Sequence, residues 1–244
     1  MTEREKNLLG WCGEQGYLWS IEDYGDDIAK GRDDWETHAR LALLYWLSVR
    51  DHGLILHHFA RAVEKGRYYE RVPQDTSQRI PFTFGSWLGI VSAFGSSEQR
   101  QRAGMIPQRH WYHPPHPFYA KTADAYALVQ AHLRGELTPV LAQPYLEMAS
   151  RENAGRDVVE FERPWVEGCL AITARDASTW NACIMSMVKY HTFVARYGFL
   201  QLSDYGLMCL GGLGLARLGI EAGLKCTVED LRLPLDLLLG VGDA

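Results

Sequence analysis

Residues Asp176–Pro234 read DASTWNACIMSMVKYHTFVARYGFLQLSDYGLMCLGGLGLARLGIEAGLKCTVEDLRLP, and this stretch decides the fold. From Trp180 the apolar side chains fall at Cys183/Ile184, Met187/Val188, His191 and Val194/Ala195, the three-and-four step of a helix that buries one face. Ser178 precedes the run as an N-cap, and Gly198 follows it, where a left-handed residue closes a helix without steric cost. A second helix is expected over Ser203–Ala222. It is apolar nearly all round (Leu207, Met208, Leu210, Leu213, Leu215, Leu218), the mark of a helix buried in a core. Gly211, Gly212 and Gly214 each weaken it by roughly 1 kcal/mol relative to alanine. Their presence predicts that another helix comes close there, with Trp180, Ile184, Met187 and Val188 packed against Gly211–Gly214. No chemistry resides in this segment; it is a core that supports a surface built elsewhere.

Outward from that core, the pattern stays helical. Trp35–Arg50 steps through Trp35, His38/Ala39, Ala42, Tyr45/Trp46 and Val49, and Leu54–Glu64 resumes after Asp51-His52-Gly53, which predicts an αα-hairpin. Ser86 is read as the cap of a short helix through Phe94, and Ser97–Met105 as a polar helix ending before Pro107. A tyrosine-bearing helix ends at Gly135, Thr138-Pro139 opens the next, and Pro164 opens another that reaches Arg175. Strand signals are almost absent apart from a short extended piece at Lys225–Val228. The fold class predicted is all-α: a single multi-helix domain over residues 35–244, of roughly seven to nine helices built from antiparallel hairpins. Residues 1–34 precede it as an acidic segment. No unit recurs at a fixed spacing, which argues against a regular solenoid.

Composition narrows the function classes. The 244 residues are 47% hydrophobic and 23% charged, with a net charge of -5, as in an ordinary globular chain. An acidic balance argues against nonspecific binding to nucleic acid or anionic membranes, and no apolar run approaches the ~20 residues that span a bilayer. The start, MTEREKNLLG, lacks the apolar core of a signal peptide. The odd, scattered cysteines (Cys12, Cys169, Cys183, Cys209, Cys226) read as reduced core residues of a cytoplasmic protein.

Three features invite a chemical reading. His110, His113 and His116 form H-x-x-H-x-x-H, but Pro114, Pro115 and Pro117 forbid the helix that would align them, and no carboxylate or thiol stands beside them. His57 and His58 are adjacent on a helix and point to different faces. No H-E-x-x-H, phosphate loop, G-x-S-x-G or C-x-x-C is present. The expectation is therefore no catalytic residue, no metal and no cofactor. The third feature is charge. Between Glu22 and Glu36 seven acidic residues face only Lys30 and Arg32. Either they are a solvated surface with acids at a helix N-terminus, or Asp23, Asp26, Asp27, Asp33 and Asp34 form a docking surface for a basic partner. The aromatic loop residues Trp111, Tyr112, Phe118 and Tyr119 are a second set of candidate partner contacts.

The order of segments resembles the immunity protein 49 family of bacterial polymorphic-toxin immunity proteins. The likeness runs through HARLALLYWLSV and LHHFARAVEKG, then SWLGIVSAFGSSEQRQRAGMIP, ADAYALVQAHLRGE and TWNACIMSMVKYHTFV. It is strongest over residues 176–240, at the closing GLARLGIEAGLKCTVEDLRLPLDLLLG. The resemblance implies a non-enzymatic cytoplasmic protein that neutralises one cognate toxin by direct binding. Two other classes fit the residues: a helical-repeat-like adaptor that binds a peptide or protein, and a metal-dependent hydrolase built on His110, His113 and His116.

Overall fold

The computed structural model describes residues 21–48, 51–70, 81–112, 119–200 and 203–239. Among them are eleven α-helices and no strand, so the all-α expectation holds and the helix number exceeds the seven to nine expected. The helices are α1 (Ile21–Ala29), α2 (Trp35–Ser48), α3 (His52–Lys65), α4 (Pro81–Phe94), α5 (Ser97–Met105), α6 (Ala120–Leu133), α7 (Pro139–Ala149), α8 (Arg163–Ala174), α9 (Ala177–Tyr197), α10 (Leu210–Glu221) and α11 (Asp236–Leu239). One π-helical turn, Val158–Glu162, leads into α8.

Local chemistry sets most helix starts. Asp51 accepts the Leu54 N–H at the head of α3, and Ser96 and Gln99 form a reciprocal capping box on α5. Thr138, with Pro139 behind it, caps α7. Each cap satisfies a backbone donor that the first turn would otherwise leave bare. The cap of α9 is Asp176, not Ser178: its carboxylate takes both the backbone N–H and the hydroxyl of Thr179, a charge at the positive end of the helix. Gly198 does close α9, but with φ -123° and ψ -158°, in extended rather than left-handed geometry. Ser86 caps nothing. Its hydroxyl donates to the Phe82 carbonyl inside α4, which begins at Pro81.

The helix expected over Ser203–Ala222 is two pieces. A 3-10 turn, Asp204–Leu207, precedes α10, and Met208 between them is extended (φ -142°, ψ 131°). The break is held from outside the segment: the Cys209 N–H donates to the Arg232 carbonyl, and the Arg232 guanidinium reaches the Gly206 carbonyl. Lys225–Val228 is extended without being a strand. The Asn181 amide clasps it, donating to the Lys225 carbonyl and accepting from the Thr227 N–H.

The core is organised by a pair of helices distant in the chain, α4 and α10, rather than by sequence-adjacent hairpins alone. A Cβ placed on Gly89 would sit 2.8 Å from the Leu210 carbonyl carbon and 2.9 Å from the Gly211 nitrogen. One on Gly214 would lie 2.9 Å from the Gly89 oxygen. The two backbones therefore touch, which only glycine permits. The glycine stripe does mark a close approach, but toward α4. The expected partner α9 meets α10 at the first glycine of the stripe and again beyond its last. Met187 lies over Gly211, and Trp180 lies over Gly219, with its indole N–H donating to the Leu215 carbonyl at 3.0 Å. Gly212 faces Cys209 and Leu233 instead. Trp180, Ile184, Met187 and Val188 are all buried, as the periodicity predicts.

The crossing makes a test with opposite signs at two glycines. Gly89→Ala, which must push a backbone away, lowers stability by about 1–3 kcal/mol, although alanine is the better helix former by roughly 1 kcal/mol. Gly25 in α1 has open space around its Cβ position, so Gly25→Ala raises stability by about 0.5–1 kcal/mol. Thermal unfolding followed by circular dichroism reads both, and shifts of the same sign would contradict the crossing.

Candidate functional site

Two carboxyl groups are buried among the described residues: Asp204, which accepts from the Tyr24 hydroxyl, and Glu162, which marks the site. Glu162 is 1% exposed and ends the π-helical turn Val158–Glu162. Arg156 and Asp157 are already helical, so this turn is a widened first turn of the helix that continues as α8. A π-turn inserts a residue and redirects the side chains around it, and such turns recur at functional sites. Here the turn packs against α6, α8 and α9 and carries Phe161 and Glu162 inward. They line a cavity of about 110 Å3 with Tyr126 (α6), Trp165 (α8), Tyr190, His191 and Val194 (α9), Phe82, Gly85 and Ser86 (α4), Leu210 and Gly211 (α10), Asp157, Phe199 and Tyr205. Gly85 makes room for Tyr126: a Cβ there would stand 2.5 Å from the tyrosine hydroxyl.

Burial drives the Glu162 pKa up to about 8, with the Asp157 charge pushing the same way; Thr122 and Lys121 oppose them. Neither carboxyl oxygen has a hydrogen-bond partner of good geometry among the described residues. Leaving such a group unpaired in a low-dielectric site is costly. His191 is buried as well, and its Nε2–H donates to the Gly206 carbonyl at 3.2 Å. Burial, reinforced by the nearby Arg232 charge, pulls its pKa down to about 4, so the imidazole is neutral at pH 7. Behind the cavity wall, the Tyr24 hydroxyl donates to Asp204 at 2.7 Å and accepts from Arg40 at 3.0 Å, and the Arg40 guanidinium lies 5.4 Å above the Tyr205 ring. That network ties α1 to the cavity.

Outside the mouth the surface is aromatic. Phe193, Tyr197 and Phe199 are 36%, 72% and 66% exposed. Phe193 packs on Tyr197, with the Arg156 guanidinium 3.8 Å over its face. Phe199 meets Phe82, and Phe82 meets Tyr119 edge-on.

The residues singled out in the sequence are dispersed. Asp26 pairs with Lys30 at 3.3 Å and Asp27 with Arg32 at 3.4 Å, while Asp23 is exposed on α1. Asp34 caps α2 through the Thr37 N–H. Asp33 is drawn into the fold: Lys65, Arg61 and His38 all pair with it. Its hydrogen bonds from Lys65 and His38 hold its pKa below the usual carboxylate value. His38 passes on to His58, Nδ1 to Nδ1 at 3.0 Å, and burial pulls His58 down to about 4. The sequence shows seven acids against two bases, whereas the fold supplies Lys65 and Arg61 from α3 as further partners.

Trp111 and Tyr112 correct the loop expectation. They are 0% and 7% exposed, and Trp111 stacks flat on Phe84 with ring centres 4.3 Å apart, so neither offers a surface to a partner. Tyr119 stands on the aromatic rim, and Phe118 lies outside the described residues. His110 is buried, with Nδ1 3.0 Å from the Tyr69 carbonyl; His113 and His116 lie outside the described residues. No group of three potential metal ligands occurs among the described residues, and no helix there is long and apolar enough to cross a membrane. Cys169, Cys183 and Cys209 are buried free thiols, and burial raises the pKa of each.

Glu162 escaped sequence reading because Pro164 signals a helix start, which places FE just outside. The surrounding RDVVEFERPW also carries Glu160 and Arg163, so nothing local singles out Glu162 as the buried acid. Comparison with family models, curated proteins and solved structures gave no match to this chain.

Protonation at this site is coupled to stability. Glu162 keeps its proton in the folded chain up to about pH 8, whereas an unfolded carboxyl loses it near 4.5. The folded state thus binds more protons over that interval and loses stability as pH rises. His58 and His191 act in the opposite sense and only below about 6.5. Between pH 6.5 and 8 the wild type should lose at most about 1.4 kcal/mol per pH unit. Glu162→Gln should lose little over the same range, and identical pH slopes in urea titrations of the two would refute the assignment.

Proposed function

We propose that this chain is a cytoplasmic immunity protein that neutralises a toxin by direct binding, and that it seizes its partner through the aromatic rim Phe82–Tyr119–Phe193–Tyr197–Phe199. The family likeness in the sequence supplies the class. The observation that carries the surface is the exposure of Phe193, Tyr197 and Phe199 beside Arg156. Exposed aromatics and arginine clustered around a pocket are the composition of interface hot spots, where a few desolvated anchors dominate the binding energy. Solitary exposed apolar residues need no explanation, but two contacting sets, Phe193 with Tyr197 and Phe199 with Phe82 and Tyr119, do.

The acidic residues Asp23, Asp26 and Asp27 suit a supporting role. Charges on a rim raise the rate of encounter with a basic partner and set its salt dependence, while buried anchors set the lifetime. α1 is joined to the cavity wall through Tyr24, Asp204 and Arg40, so these carboxylates sit on an element fixed to the same body as the rim.

Sequencing the genes that flank this one, and co-expressing this chain with any toxin-like product found there, tests the proposal. Tyr197→Ala with Phe199→Ala should retain the helical spectrum and slow-exchange core yet abolish protection and raise the dissociation constant at least a hundredfold. Asp26→Asn with Asp27→Asn should slow association several-fold and flatten its salt dependence, leaving the dissociation rate unchanged. Full protection by the aromatic double variant would move the binding surface elsewhere.

A further inference from the structure

Four rings enclose the cavity beside Glu162. Tyr126 and Trp165 stand edge to face with centres 5.7 Å apart and planes at 69°, and Phe161 and Trp165 do so at 6.1 Å and 79°. Tyr190 continues the set at 6.1 Å and 48° from Phe161. Successive planes turn through large angles, so the rings wrap a corner instead of stacking in a layer. Set among them are two carboxyl groups, Glu162 and Asp157. Aromatic faces carry negative potential and attract cations, most strongly where water is excluded.

We propose that this cavity binds a small organic ammonium ion, held by cation–π contact with the rings and by the carboxyl groups of Glu162 and Asp157. The two acidic groups are poorly suited to an anion. An uncharged apolar guest would leave the Glu162 carboxyl with Thr122 as its one polar contact on α6, too little for a buried acidic group. The volume, about 110 Å3, is of the same order as the roughly 150 Å3 engineered cavity that admits benzene. Among the described residues, the arginines whose charges reach the cavity groups have partners outside it: Arg156 pairs with Glu160 at 2.8 Å, and the Arg232 guanidinium reaches the Gly206 carbonyl. His191 is neutral at pH 7, and the Lys121 ammonium is engaged by the Asn153 and Ala154 carbonyls at 3.2 and 3.3 Å.

Proton balance follows from the same geometry. When the guest arrives, Glu162 gives its proton to solvent and faces the ammonium as a carboxylate, one proton leaving for each cation bound. The other groups around Glu162 are Lys121, Thr122 and Tyr126 on α6, Tyr145 on α7, Asp157 on its own turn, and Tyr190 and His191 on α9. Burial holds the tyrosines protonated and His191 neutral between pH 6 and 8. Affinity for a permanently charged guest should therefore rise with pH, by up to about tenfold per unit, and level off above pH 8.

Choline and its uncharged isostere 3,3-dimethylbutan-1-ol, titrated separately into the full chain, decide the question. Tryptophan fluorescence and the thermal midpoint are the readouts. Choline should bind at least tenfold more tightly than the alcohol, with proton release visible in weakly buffered solution. Glu162→Gln should erase that preference. Nα-acetyl-lysine amide forms a second arm: tighter binding than choline assigns the site to a lysine side chain presented by a protein, and weaker binding assigns it to a free amine. Equal binding of choline and the alcohol, or no saturable binding of either cation, overturns the proposal without touching the toxin-binding reading. Should Glu162→Gln fail to fold, Tyr190→Leu, at the cavity edge, provides the same comparison.

Discussion

Backbone contact between α4 and α10 at Gly89 and Gly214 is the constraint on which the remainder of the molecule depends. Two helices that meet through side chains stay roughly 8–10 Å apart; the missing Cβ atoms bring these closer. That approach places Phe82, Gly85 and Ser86 of α4 beside Leu210 and Gly211 of α10, so one contact both closes the core and supplies two walls of the cavity. Helix propensity is sacrificed in α10 to achieve it, and tertiary packing makes up the difference, as it does for most helices in folded proteins.

Around that pair, polar groups are handled in two ways. Most are fully engaged. The Gln130 amide donates to the Ala103 and Ile106 carbonyls that end α5, and Arg100 and Arg217 share Glu221. The Trp180 indole finds a helix carbonyl. Others, such as the Ser92 hydroxyl and the Trp165 indole, are buried without a partner of good geometry, and among these Glu162 is the one carboxyl group. A well-packed core would gain from Leu or Met at such a position, because an unpaired buried carboxyl opposes folding. Its retention within a ring-lined cavity, on a distorted helical turn, is the pattern expected where stability is traded for recognition.

The acidic segment illustrates how tertiary structure changes the meaning of local charge. Along the sequence, Glu22–Glu36 is a run of repelling carboxylates. In the fold Asp33 meets Lys65 and Arg61, Asp34 turns to the α2 backbone, Asp27 is half-covered beside Arg32, and Glu22, Asp23 and Asp26 stay exposed. Asp26 and Asp27 each have a basic neighbour about a turn away, and surface pairs of that kind contribute little to stability.

Periodicity by itself determined that the chain is helical, that the face through Trp180, Ile184 and Met187 is buried, and that the glycine stripe is approached by another helix. These follow from local rules: a 3.6-residue repeat, capping by Thr138, and the cost of glycine inside a helix. The caps at Asp51, Ser96 and Asp176 came from the structure, in place of those expected at Ser86 and Ser178. Tertiary structure alone decided which helix answers the stripe, because α4 and α9 carry equally suitable apolar faces and only three-dimensional packing selects between them. It also decided that Trp111 and Tyr112 are core, since a proline-rich neighbourhood sets the local backbone but not what the rings will cover. The cavity was invisible for the same reason. Its walls come from α4, α6, α8, α9 and α10, and the residue at its heart is turned inward by a π-turn, a distortion of one extra residue that leaves no periodic trace in the sequence.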